Sequence, residues 1–191
     1  MIVNLISITS IAQNQNSKIV TDSLKEKHFS FKDIPINGSI KQFVKELKKQ
    51  DFKLDDITDV DAVLTGRFTG ELVQLLVQGN KETVASVSVI FPERDSWKDA
   101  KAKYSYVKAN LIEKYGQPKL VTEKFDEPYI EGSGDEIKAL KEGKCTYQSN
   151  FSTDTGNGII RIKIHSDMSV MLVYVDTINY LLLRDKAKKQ Y

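Results

Sequence analysis

The stretch "EKFDEPYIEGSGDEIKALKEGK", residues 123–144, gathers the side chains most able to do chemistry in this chain. Glu127, Glu131 and Asp135 are carboxylates set four residues apart. Such groups suit general acid–base work or the holding of a basic partner. Tyr129 and Ile130 put an aromatic and an apolar side chain among them, and irregular segments of this kind often carry recognition surfaces. Two accounts stand side by side. Glu127, Tyr129, Ile130, Glu131 and Asp135 form a partner-binding loop, or they form a solvated acidic loop with no ligand.

Other constellations are weaker. "DDITDVD" holds Asp55, Asp56, Asp59 and Asp61 within seven residues. A calcium loop of the helix–loop–helix kind needs a glycine at its sixth position and a distal glutamate, and neither is in place. The expectation is a solvated acidic turn before a strand. "STDTGNG", with Asp154 and Asn157, is accounted for by a hairpin turn. One cysteine, Cys145, makes no internal disulfide, and the two histidines, His28 and His165, lie far apart, so zinc has no ligand set. Cys145 reads as a small buried residue in a strand. No G-x-S-x-G and no phosphate-cradling glycine loop occurs, so no catalytic, cofactor-binding or metal-binding residue is assigned.

The whole chain sets the frame. Its 191 residues are 40% hydrophobic and 28% charged, an ordinary globular balance. A net charge of +2 leaves no electrostatic footprint for nucleic acid. No apolar run reaches the eighteen or so residues that a membrane-spanning helix needs. Residues 1–17, "MIVNLISITSIAQNQNS", join an apolar run to a polar segment, as a secretory signal does, although no Lys or Arg precedes the run. A first strand is the other account. Residues 18–32 are polar and read as a tether, and residues 33–191 as one domain.

Periodicity supplies the elements that must position any site. Ser39 and Gln42 mark a capping box, and Ile40, Phe43, Val44 and Leu47 give the following helix one apolar face. "AVLTGRFTG", "ELVQLLVQG" and "TVASVSVIFP" read as three strands. In "FPERDSWKDAKAKYSYVKANLIEKYGQP", Ser96 and Asp99 open a long helix, and Gly116 and Pro118 close it. Trp97, Ala100, Tyr104, Val107, Leu111 and Tyr115 fall on its apolar stripe, whereas Lys98, Lys101, Lys103, Lys108 and Lys114 take other positions. Tyr106 is the aromatic that the stripe does not claim. After a long irregular part with a short helix from Asp135, "KCTYQSNFS", "GIIRIKIHS" and "MSVMLVYVD" read as three more strands, the last apolar on both faces and therefore central. "DTINYLLLRDKAKKQ" closes the chain as a helix capped by Asp176. The expected fold is α+β: two tandem α-β-β-β units, about 36–92 and 93–191, with an antiparallel sheet covered by helices.

The runs "FKDIPINGSIKQFVKELKKQDF", "GRFTG", "VSVIFPERDSWKDAKAKYSYVKANLIEKYGQP" and "EPYIEGSGDEIKALKEGKCTYQSNF" resemble uncharacterised exported proteins of gut Bacteroidetes, over about residues 29–176. The element order is similar to the tandem-repeat fold of the β-lactamase-inhibitor-protein type. The resemblance implies an exported, periplasmic or envelope-associated protein and transfers no catalytic residue. The expected function is non-enzymatic binding of a protein or envelope component, through a sheet face or the acidic loop. A small-amphiphile carrier and a carboxylate-dependent hydrolase are the alternatives. A carrier needs an enclosed apolar cavity, a hydrolase needs convergent perturbed carboxylates, and a binding module needs an exposed apolar patch.

Overall fold

The structure, a computed structural model, describes residues 28–188. The expected signal segment and most of the expected tether lie outside those residues. A short hairpin, β1 (Ser30–Phe31) and β2 (Ile34–Pro35), precedes helix α1 (Ile40–Lys48). Four strands follow: β3 (Lys53–Ile57), β4 (Asp61–Phe68), β5 (Glu71–Gly79) and β6 (Val84–Ile90). The long helix α2 (Trp97–Tyr115) leads to β7 (Leu120–Phe125), the short α3 (Glu136–Lys141), β8 (Cys145–Ser152), β9 (Gly158–Ile164), β10 (Val170–Asp176) and α4 (Thr177–Lys188). Helices and a large antiparallel sheet make this an α+β fold.

All strands from β3 to β10 join one sheet in the order β3-β4-β5-β6-β10-β9-β8-β7. Two strands were not expected. β3 takes in Asp55 and Asp56, which had been placed in an acidic turn, and β7 lies in the part expected to be irregular. Each group of strands therefore numbers four rather than three. The two groups meet where β10 pairs antiparallel with β6, Leu172 opposite Val89.

The capping signals hold at atomic detail. Ser39 Oγ accepts the Gln42 N–H at 3.3 Å, and Gln42 Oε1 accepts the Ser39 N–H at 3.1 Å. Ser96 Oγ accepts the Asp99 N–H at 3.1 Å, and Gly116 ends α2 at φ +74°, where a side chain would be strained.

The core lies between one sheet face and the helices. Ile40, Phe43, Val44 and Leu47 of α1 join the buried cluster, with Trp97, Ala100, Tyr104, Val107 and Leu111 of α2 and Ala139 and Leu140 of α3. Every second residue of the sheet meets them, as at Leu64, Leu75, Val89, Leu172, Ile162 and Phe151. That is the period-two pattern of a sheet covered on one side. The final helix differs from the expectation of an amphipathic helix: only Asn179 of α4 is buried, while Leu181 and Leu182 are exposed.

The fold begins earlier than composition implied. Phe29 and Phe31 are buried, and Phe31 stacks on Phe68 with ring centres 5.7 Å apart. Asp176, at the end of β10 and sealed from solvent, accepts the Phe29 N–H at 2.7 Å, meets His28 Nδ1 at 3.2 Å and caps α4 through the Asn179 N–H at 2.8 Å. Asn179 Nδ2 donates to the carbonyls of Ile36 and Val84, each at 2.9 Å. Gly158 is required beside this clasp, since a Cβ there would stand 2.4 Å from the Phe29 ring.

Candidate functional site

The acidic stretch after β7 is pinned to the body of the protein by several contacts. Glu131 Oε1 accepts from the Trp97 indole at 3.0 Å and from Lys101 Nζ at 2.5 Å, and Oε2 accepts from the Tyr147 hydroxyl at 3.1 Å. The Lys101 hydrogen bond holds the Glu131 carboxyl below the usual carboxylate range, against an opposing push from burial, with Trp97 and Tyr147 adding to the lowering. Tyr129 is half-buried against the core and donates its hydroxyl to Glu142 Oε2 at 2.7 Å. Ile130 is exposed, as are Glu127 and Asp135. Asp135 stands at the start of α3 without a side-chain capping bond. Glu131, Tyr129 and Glu142 thus hold the loop in place, and its apolar Ile130 projects outward.

Two further carboxylates grip α2. Glu71, at the start of β5, accepts from Lys103 Nζ at 2.7 Å and from Arg94 Nη2 at 2.6 Å. Burial pushes the Glu71 carboxyl up, but these two cations outweigh it and leave it lowered. Lys103 is only 9% exposed, because its ammonium also lies 4.0 Å from the centre of the Phe91 ring. Its place in the sequence lies off the apolar stripe of α2. Its long stem lets a lysine bury there once a carboxylate and an aromatic face meet its head. Glu123 of β7 takes Lys108 Nζ at 2.5 Å and the Tyr104 hydroxyl at 2.9 Å, and the same hydroxyl lies 2.7 Å from Ser149 Oγ. Burial pushes the Tyr104 phenol far up. Lys103 and Lys108 thus tie the long helix to the sheet, and Lys101 ties it to the acidic loop.

Cys145 lies buried at the start of β8, as its sequence position implied. Burial, with the Glu131 and Glu136 charges nearby, pushes its thiol up to about 12. Asp55 accepts from Thr65 Oγ1 and Asp61 from Thr58 Oγ1, each at 2.5 Å, so the aspartate cluster is spread along β3 and the turn that follows. No group of three or more potential metal ligands forms among the described residues.

The side of the sheet away from the core presents a different surface. Across the strands, Thr65, Gln74, Ile90, Met171, Lys163 and Gln148 form one row. Val63, Leu76, Ser88, Val173, Arg161 and Asn150 form the next. Gln78, Ser86, Val175, Ile159 and Ser152 form a third. Side chains are apolar along β10, at Met171, Val173 and Val175, mixed on β6, where Ser86 and Ser88 accompany Ile90, and more polar toward both sides. Leu76, Ile90, Met171, Val173 and Val175 are half-buried, while Leu72 is 58% exposed and Ile159 38%. Strands stand about 4.8 Å apart, so the apolar centre on β6 and β10 is roughly 5 Å wide, extended by Leu76 of β5 and Ile159 of β9. Ser88, buried in the centre between Leu76 and Val173, lowers the surface there. Arg161 and Lys163 lie on one flank, and Gln74 and Gln78 on the other.

The sequence carried a sign of this surface in "MSVMLVYVD". Apolarity on both faces implied a central strand, and β10 is central, between β6 and β9, but α1, α2 and α3 pack on one face alone. The second apolar set, Met171, Val173 and Val175, is the middle of the open face.

Clefts flank it. One of about 400 Å³, at the upper end of the open face, is lined by Leu72, Gln74, Ile90, Pro92 and Asp167 among others. A second, of about 540 Å³, lies between Glu71, Arg94, Asp99, Lys103 and the exposed Tyr106. A third, of about 510 Å³, runs between α2 and the acidic loop along Trp97, Lys101 and Glu131. All three open to solvent. No match to this chain was found among protein-family models, curated proteins or solved structures.

Proposed function

We propose that this chain is a non-enzymatic binding protein that recognises a protein or envelope component through the open face of its sheet. The observation that carries the reading is the row-by-row arrangement of that face: an apolar middle of Leu76, Ile90, Met171 and Val173 with polar flanks. Interfaces have that anatomy, with a water-excluding centre and a solvated rim. An apolar patch of this kind on a folded surface marks an interaction site. The rival hydrolase reading draws less support, since Glu131 already serves three donors and Glu127 and Asp135 stand in solvent.

Export to the periplasm or envelope belongs to the same reading, supported by the apolar run followed by "AQNQNS" and by the likeness to exported proteins of gut Bacteroidetes. So does the two-unit organisation. The strand order is mirrored about the β6–β10 pair, which is what two α-β-β-β-β units side by side produce. Mass spectrometry of the native protein tests export: the expected mature N-terminus lies near Gln13, and an intact Met1 in a cytosolic fraction refutes it.

A photo-crosslinking side chain at Val173, at the centre of the open face, tests the binding surface. Incubation with an envelope extract is expected to give a discrete adduct, absent when the same group replaces exposed Lys98 on α2. Leu76→Lys should abolish the adduct without lowering the melting temperature. Equal labelling from both positions, or none from Val173, removes the reading.

A further inference from the structure

The two edges of the sheet are unlike. At β3 the register shifts between Leu54 and Asp56, and two adjacent carboxylates, Asp55 and Asp56, belong to the edge strand. Irregularity and charge of this kind discourage the addition of another strand. β7 has no such shift within its length, although Lys119, just before it, already gives its N–H to the Asn150 carbonyl at 2.7 Å. The strand pairs with β8 from Leu120 to Phe125, contains no proline, and leaves Leu120 55% and Val121 44% exposed. Its two charges are already matched, Glu123 by Lys108 and Lys124 by Asp126 at 2.7 Å.

The direction of its free backbone groups follows from the ladder. Asp126 donates its N–H to the Lys144 carbonyl at 2.7 Å. Direction alternates along an antiparallel strand, so Thr122 and Lys124 also bond toward β8. The N–H and C=O groups of Val121, Glu123 and Phe125 then face away from it. They offer a regular template for an extended backbone.

We propose that β7 pairs antiparallel with the β7 of a second copy of this chain, about a two-fold axis through Thr122, so that two eight-stranded sheets become one. The axis must stand normal to the sheet, which keeps every side chain on its own face. Leu120 then lies opposite the partner's Lys124, whose aliphatic stem it covers, and Val121 lies opposite the partner's Glu123. No like charges meet. With the axis on Glu123 two carboxylates would stand face to face, which opposes pairing. With the axis on Val121 only Leu120 to Thr122 of each strand would pair, because Glu123 would lie opposite Lys119, outside β7. The Thr122 register pairs Leu120 to Lys124 and bonds through the outward groups of Val121 and Glu123. The pairing is independent of what the open face binds.

The full chain tests it by sedimentation across micromolar concentrations. The expected species is a dimer. Val121→Pro removes an outward N–H while leaving the β8 ladder untouched, and should raise the dimer dissociation constant roughly tenfold or more, since two ladder bonds are lost per dimer. Leu120→Lys, which sets lysines against the partner's Lys124 without altering the backbone, should do the same. At Thr122 the paired residues form the close, non-hydrogen-bonded kind of pair, about 4.5 Å between Cα atoms, within disulfide range. Thr122→Cys should therefore give a disulfide-linked dimer under mild oxidation, and Val173→Cys should not; Cys145 is buried and does not compete. A chain that stays monomeric, a dimer unmoved by both edge variants, or linkage through position 173 in place of 122 overturns the proposal.

Discussion

The indole nitrogen of Trp97 donates to the Glu131 carboxylate at 3.0 Å, which makes the buried aromatic of the long helix and the acidic loop one mechanical unit. Glu131→Ala removes the acceptor shared by Trp97, Lys101 and Tyr147. The expected loss is about 1–2 kcal/mol, kept modest because solvent reaches the carboxylate. Urea unfolding measures it, and an unchanged midpoint would show that the loop is not held this way.

The same carboxylate gives stability a pH dependence. Glu131 and Glu71 both have folded-state values below the ordinary one. The unfolded chain therefore binds protons first as pH falls, at about 4.3 for a free glutamate. Their stabilising contribution is complete above that value and disappears as pH drops through the lowered folded values. The double variant Glu71→Gln, Glu131→Gln should show a flatter unfolding midpoint between neutral and acid pH than the parent. Identical slopes for the two proteins would refute the assignment.

Trp97 is 8% exposed and meets Tyr147 and Phe125 edge to face, at 4.9 and 5.3 Å between ring centres. Its fluorescence should be blue-shifted and resistant to iodide. Trp97→Ala should lower stability by about 3 kcal/mol, as large aromatic truncations in cores do. A fully quenchable indole would be incompatible with this packing.

Tyr129 is half-buried and tied to Glu142. A residue so placed holds its loop, and Tyr129→Ala is expected to lower the melting temperature by several degrees. Were melting unaffected while capture of a partner fell, Tyr129 would be a contact residue instead.

Cys145 should be inert in the native protein, since burial and two nearby carboxylates push its thiol up to about 12. A thiol reagent at neutral pH should label it only after denaturant is added. Rapid native labelling would mean that the start of β8 opens far more readily than its packing allows.

Helix signals were the most legible part of the sequence. Ser39 with Gln42, Ser96 with Asp99, and Gly116 act within a few residues of the ends they fix, so local order is enough to find them. β3 escaped because "KLDDI" is charged and poor in strand formers; its edge position, not its composition, makes it a strand. β7 escaped because its core-side row is Val121, Glu123, Phe125, in which a glutamate stands where an apolar residue is expected. That glutamate is tolerated only because Lys108 and Tyr104 come to it from α2. Glu131 was singled out in sequence as chemically capable, yet its partner Trp97 is 34 residues away, and no local pattern announces so distant a bond. The open face lay hidden for a related reason: apolarity on both sides of β10 was visible, but which side the helices cover depends on packing alone.

The Asp176–Phe29 bond has a temporal meaning as well as a spatial one. It joins residues 147 positions apart, and β10, which ends at that aspartate, fills the seam between β6 and β9. During synthesis the strand that completes the middle of the sheet therefore leaves the ribosome after both of its neighbours. Until it arrives, β6 and β9 remain edges and Phe29 has no anchor. The sheet becomes continuous only once β10 is free, and a nascent chain halted before Val170 should remain open to proteases however long it waits.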